Sequence, residues 1–212
     1  MNAASDTSSP SSLRLVLTLA IAGLVSGVAI IGIYESTLPT ITANKARELR
    51  EAVFKVLPGV SQMQALVYRD GELVVVEKPE KDEPVVYGGY DEQSAFVGYA
   101  MPGAGPGFQD TIGLLYGYRP DEKIVVGMEI LESRETPGLG DKIYKDDDFV
   151  GNFAQLAVDP GIVLVKAGRA ADHEVDAITG ATISSRAVVR IIDGALEDWI
   201  DVLPTDAAGE GG

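Results

Sequence analysis

Residues 63–78 read MQALVYRDGELVVVEK. Two strand-like runs flank Asp70–Gly71, a dipeptide that supplies the positive φ of a tight turn, so the stretch predicts an antiparallel hairpin. Further strands are expected at Ala95–Ala100, Thr111–Tyr116 and Lys123–Leu131, the last two separated by the turn residues Arg119–Pro120–Asp121–Glu122. Connections this short join antiparallel neighbours. Upstream, Ile41, Ala46, Leu49, Val53 and Val56–Leu57 recur close to a 3.6 period, which predicts an amphipathic helix over Thr40–Leu57 stopped by Pro58–Gly59. Downstream, Val188, Ile191, Ile192, Ala195, Leu196 and Trp199 mark one apolar face of a helix over Ser185–Ile200. A short helix over Asp147–Leu156 and a strand at IVLVK, residues 162–166, complete the reading, with no internal repeat. The fold class is α+β: an antiparallel sheet with flanking helices.

A transmembrane helix precedes this sheet. Leu15–Tyr34 runs twenty residues without a charge, enough at 1.5 Å per residue to cross a hydrocarbon core about 30 Å thick. A cleaved signal peptide fits less well, because its apolar region spans only about 7–15 residues and no A-x-A-like site closes this one. Nearby charge does not orient the helix, since Arg14 precedes it and Lys45, Arg47 and Arg50 follow. The organisation is therefore a flexible tail over 1–14, a span over 15–34, one domain over 36–204 and a second flexible tail over 205–212.

Composition excludes several functions. The 212 residues include no cysteine and one histidine, His173, so a zinc ribbon, a cysteine-ligated iron–sulfur cluster, a thiol nucleophile and a multi-histidine metal site are all ruled out. Any redox chemistry must use a borrowed organic cofactor. The formal charge of -15 opposes a generic surface for nucleic acid or anionic lipid. All of it belongs to the residues after Tyr34, which hold 16 basic and 31 acidic side chains.

Three stretches carry chemical signals. In MPGAGPGF, residues 101–108, the glycines and prolines read as a loop with special backbone angles, and neither a dinucleotide fingerprint nor a P-loop lysine is present. In ETPGLGDKI, residues 135–143, Pro137–Gly138 suits a type II turn and Gly140 lets the backbone come close to something flat; a plain strand-to-helix connection reads equally well. In DAITGATISSR, residues 176–186, Thr182 and two serines stand at the start of the last helix. Such residues are ordinary N-caps. The alternative is an anion site, where free N–H groups, the helix dipole, Gly180 and Arg186 stabilise a phosphate at Thr182.

The pattern Asp-x-x-Thr-Gly-Ala-Thr, with ETPGLGD some forty residues upstream and AGPGF before a strand, resembles the FMN-binding domains of bacterial respiratory membrane complexes. That family includes the G subunit of Rnf complexes and the C subunit of the sodium-pumping NADH:quinone reductase; the ending GDKI and the compact length favour the Rnf side. The resemblance implies that Thr182 carries FMN through a phosphoester bond. It implies that Asp176, Thr179, Gly180 and Ala181 form the motif read by a flavin transferase, and that Glu135, Thr136, Pro137, Gly138, Leu139 and Gly140 line the flavin, with Lys142 offsetting phosphate charge. The MPGA segment before Gly105 departs from the family pattern, as does the lack of a tryptophan after Asn152–Phe153.

By the same resemblance the chain is one electron relay among the Rnf subunits of the cytoplasmic membrane, its domain on the outer face, in a complex that couples ferredoxin and NAD oxidoreduction to ion transport. The relay has no catalysis of its own, and FMN supplies the chemistry while the protein holds it. Two other readings stay open: a stand-alone anchored flavoprotein serving a different reductase, and a non-redox binding module in which Thr182 is only a cap.

Overall fold

In the computed structural model, which describes residues 11–80 and 83–205, the chain divides into two units, Met1–Arg47 and Glu48–Gly212. Helix α1 runs from Ser12 to Val56 with Pro39 inside it. The separate span and amphipathic helix expected over 15–34 and from Thr40 are thus one element. A proline inside a helix removes a single N–H donor, and nearby hydroxyls bond carbonyls of the same turns: Ser36 to Ile33 O at 2.8 Å and Thr42 to Leu38 O at 3.0 Å. No glycine stands between Gly32 and Gly59 to end the helix sooner. Within the first unit this helix is long and apolar enough to cross a membrane, with mean hydropathy 2.5 in its most apolar window. Of the expected tails, residues 1–10 and 206–212 lie outside the described residues, and Ser12–Arg14 are already helical.

The second unit is built on a seven-stranded antiparallel sheet. Its strands are β1 (Gln62–Arg69), β2 (Glu72–Val76), β3 (Val85–Tyr90), β4 (Phe96–Pro106), β5 (Thr111–Arg119), β6 (Ile124–Glu132) and β7 (Leu156–Ala157), in the order β2-β1-β3-β4-β5-β6-β7. The first hairpin closes as the sequence predicts: Arg69 pairs with Glu72 across Asp70 and Gly71, both at positive φ. Beyond the sheet lie α2 (Asp147–Gly151), β8 (Val163–Val165), β9 (Glu174–Asp176) and α3 (Thr182–Trp199). The pair β8 and β9 is parallel, an exception to the expected antiparallel pairing. Helix α2 is shorter than expected, and Leu156 lies instead in β7, paired with Val125 of β6.

The MPGAGP segment is a strand and not the loop its composition suggests. It forms the second half of β4, paired with β5 from Met101↔Tyr116 to Pro106↔Thr111. Beyond Ala100 the strand has lost its β3 partner, so Pro102 and Pro106 sit along a free edge where a missing N–H costs little. Gly103 and Gly105 face α3, and a Cβ on either would stand 2.8 Å from the Ile191 side chain. These glycines let the helix lie close.

Alternation along β4 and β5 sends residues to two cores. Tyr99, Met101, Ile112, Leu114, Tyr116 and Tyr118 join the core under α3, with Val188, Ile191, Ile192 and Leu196. Ala100 and Leu115 turn the other way, to a smaller core with Ala52, Val53, Val56 and Leu57 at the end of α1. There Gly117 pairs with Gly127, and a Cβ on either would run into the Val56 backbone. A bulge at this point leaves Val126 as an extra residue, so Val126 and Gly127 both face α1. Each fully buried aliphatic side chain in these cores contributes roughly 1.5–3 kcal/mol.

Candidate functional site

Three segments meet at the N-terminus of α3. The first is the turn after β6, where Pro137 and Gly138 occupy the centre of a turn closed by the Leu139 N–H donating to Thr136 O at 3.1 Å. Gly138 has φ +78°, the conformation expected for its place in a type II turn. A 3-10 helix, Gly140–Tyr144, follows. The second is the chain leaving β4, Gly107–Gln109. The third is the loop from Asp176 at the end of β9 into α3.

Helix α3 starts earlier than its apolar period indicates, at Thr182, and its cap residue is Ala181, with no side-chain cap hydrogen bond. The Thr182 hydroxyl is therefore not spent as an N-cap. Ser185 secures the loop instead. Its hydroxyl accepts from the Ile178 N–H at 3.1 Å and donates to Ala181 O at 3.0 Å, within a fully buried residue.

A cavity of about 350 Å³ opens at this junction, lined by Phe108, Thr136, Leu139, Gly140, Gly180, Ala181, Thr182, Ile183 and Ser184. Among the described residues, no acidic or basic side chain lines it. Phe108, Leu139 and Ile183 are 64%, 50% and 54% exposed, an apolar rim that water would otherwise wet. A second, polar cavity of about 290 Å³ flanks the other side of the same loop, lined in part by Lys142, Asp146, Asp148, Asn152, Asp176 and Thr179.

The expected site residues are thus divided. Thr136, Leu139, Gly140, Gly180, Ala181 and Thr182 share the apolar cavity, whereas Asp176, Thr179 and Lys142 line the polar one. Asp176 is engaged internally: its Oδ1 accepts from the Arg169 N–H at 2.9 Å and its own N–H donates to Asn152 Oδ1 at 3.2 Å. Pro137 and Gly138 are exposed at the turn tip, and Arg186 is exposed one turn along α3; none of the three lines either cavity.

Glu135 lies behind the wall, 5% exposed. Its Oε1 accepts from the N–H groups of Phe108 and Gln109 at 2.9 and 3.0 Å, and its Oε2 accepts from the Ser184 hydroxyl at 2.5 Å. Burial works to raise this carboxyl, but the Ser184 hydroxyl and the N–H groups of Gln109 and Phe108 outweigh it and hold it below its ordinary value. The side chain is gripped between two glycines. A Cβ at Gly140 would stand 2.5 Å from Oε2, and one at Gly107 would collide with Oε1. The close approach that Gly140 permits is therefore to this carboxylate. Phe108, Ile183 and Ser184 were not legible as cavity residues; the one signal was an aromatic residue directly after a glycine run.

The FMN-binding domain family matches residues 107–197, a stretch that holds every residue lining the apolar cavity. The chain is 28% identical to the G subunit of the ion-translocating oxidoreductase complex of Methanosarcina acetivorans, over 87% of this chain and 92% of that protein. It is also 28% identical to the G subunit of the proton-translocating ferredoxin:NAD(+) oxidoreductase complex of Clostridium ljungdahlii, over 92% and 95% of the two chains. The crystal structure of Shewanella oneidensis NqrC shares the fold, with a TM-score of 0.59 and 21% identity over 76% of this chain and 94% of that one.

Proposed function

We infer that this chain is the membrane-anchored FMN subunit of an Rnf-type ion-translocating ferredoxin:NAD oxidoreductase, relaying electrons through FMN esterified to Thr182. Thr182 carries this reading: its hydroxyl is not the helix cap, and it lines an apolar-rimmed cavity at a helix N-terminus within the stretch that matches the FMN-binding domain family. The relatives that match over nearly their full length are G subunits of such complexes, and they supply the assembly.

The residues present suit FMN. Phe108, Leu139 and Ile183 offer apolar contact, and the first turn of α3 offers N–H groups and the positive end of the dipole to a phosphate. Bound FMN supplies one- and two-electron chemistry. The chain positions it, keeps it from leaving and shields one face from water. Lys142 lines the cavity on the other side of the loop, so its contribution to the phosphate is through space. Asp176 acts by holding the loop that presents Thr182 to a flavin transferase, and the domain lies on the outer face of the membrane.

Co-expression with a flavin transferase tests the attachment. The wild-type chain should give an ultraviolet-fluorescent band on a denaturing gel, and Thr182→Ala should give none; fluorescence surviving in that variant would move the attachment elsewhere. For sidedness, an alkaline-phosphatase fusion at the C-terminus should be active, and an inactive fusion would reject the outer face. Co-purification with other Rnf subunits separates this reading from a stand-alone flavoprotein.

A further inference from the structure

The position of Glu135 extends the proposed function and rests on it. One carboxylate touches all three segments that build the apolar cavity. It belongs to the strand-to-turn segment that continues into Thr136, Leu139 and Gly140; it takes two N–H bonds from Phe108 and Gln109; and it takes the Ser184 hydroxyl from the first turn of α3. Gly107 and Gly140 lie so close to its two oxygens that a Cβ on either would collide with them. Every one of these hydrogen-bond partners is neutral, so the negative charge is not cancelled within the web. Its distance from the cavity is one residue layer, because Ser184 and Gly140, which it touches, are themselves cavity wall. A buried charge acts over such a distance through protein of low polarisability, with little water to screen it.

We infer that Glu135 is the positioning residue of the flavin cavity, locking its three walls together, and that its buried negative charge lowers the reduction potential of the flavin held there. A neutral side chain of the same shape would keep the first role and lose the second. In Glu135→Gln the amide oxygen can accept the two N–H bonds while the amide nitrogen donates to Ser184, whose hydroxyl turns to accept. In Glu135→Ala both roles are lost.

Two measurements on the full chain in detergent test this. The first is amide hydrogen exchange at Phe108 and Gln109 in flavin-free protein. Exchange in Glu135→Ala should be roughly tenfold faster or more, the factor for one lost hydrogen bond to a charged group, and Glu135→Gln should restore most of the protection. The second is the midpoint potential of the flavinylated protein, which should be more positive in Glu135→Gln than in wild type. Unchanged exchange in Glu135→Ala would overturn the positioning role, and an unchanged potential in Glu135→Gln would overturn the role of charge. If Glu135→Ala does not fold, exchange and potential in Glu135→Gln decide: protection as poor as in unfolded protein would sink the locking argument. If the wild-type chain carries no flavin, the proposed function fails, while the exchange measurement still judges the positioning role.

Discussion

On one face of the sheet the end of α1 rests on Gly117 and Gly127; on the other α3 rests on Gly103 and Gly105. The seats look alike, but the atoms that press on them differ. Against Gly117 and Gly127 the obstacle is the backbone of Val56, which cannot be moved without moving the helix. Against Gly103 and Gly105 it is the Ile191 side chain, which can change rotamer. The α1 end is thus fixed by backbone contact over a small apolar core. Helix α3 lies on a larger and more adaptable core, and its N-terminus is fixed by the polar web of Glu135, Ser184 and Ser185. Packing sets where α3 lies, and hydrogen bonding sets where its first turn points.

Substitutions at the two seats give the clearest way to break this contrast. Gly117→Val should cost about 3 kcal/mol or more, the upper end of overpacking, because no rotamer change relieves it. Denaturant unfolding followed by the signal of Trp199 would measure it. A loss under about 1 kcal/mol would mean that the α1 end is not held by the backbone contact. Gly103→Val should cost less, about 1–2 kcal/mol, since Ile191 can yield. It should still lower flavin incorporation by displacing α3, whereas a destabilised but folded Gly117→Val should keep incorporation.

Acid should loosen the two sides unequally. The Glu135 carboxyl is held below its ordinary value in the folded chain, so its stabilisation is complete above the unfolded carboxyl value of about 4.3 and is lost as pH falls through the lower folded value. In a pH titration of unfolding midpoints, Glu135→Gln should flatten the wild-type decline in that range; an unaltered slope would remove Glu135 from the account. The smallest effect is expected at Lys55 and Glu129, whose 2.7 Å pair ties α1 to β6 at the surface. Lys55→Ala should change stability by about 0.5 kcal/mol, and by less at high salt.

Much of this contrast was legible where local signals agree with the tertiary structure. Asp70–Gly71 marked its hairpin, Pro137–Gly138 its turn, and the 3.6 period of Val188 to Trp199 the buried face of α3. The second half of β4 was not legible, because glycine and proline disfavour strands in isolation and become suitable only through a close helix and a free sheet edge. β3, VVYGGY, was missed for the same reason. The candidate site was legible as two motifs, but the sequence could not separate residues that face a cavity from those behind its wall. Glu135 read as a ligand neighbour, yet it stands behind the wall against Gly140, which does line the cavity.

The saturated bonding of Glu135 bears on speed as well as on shape. An electron arriving beside mobile dipoles must wait for them to turn, and the energy of that rearrangement slows the hop. Around this carboxylate the Phe108 and Gln109 N–H groups and the Ser184 hydroxyl already point at a fixed charge, with Gly107 and Gly140 close against its oxygens. Groups committed in advance have little left to reorient when charge comes and goes.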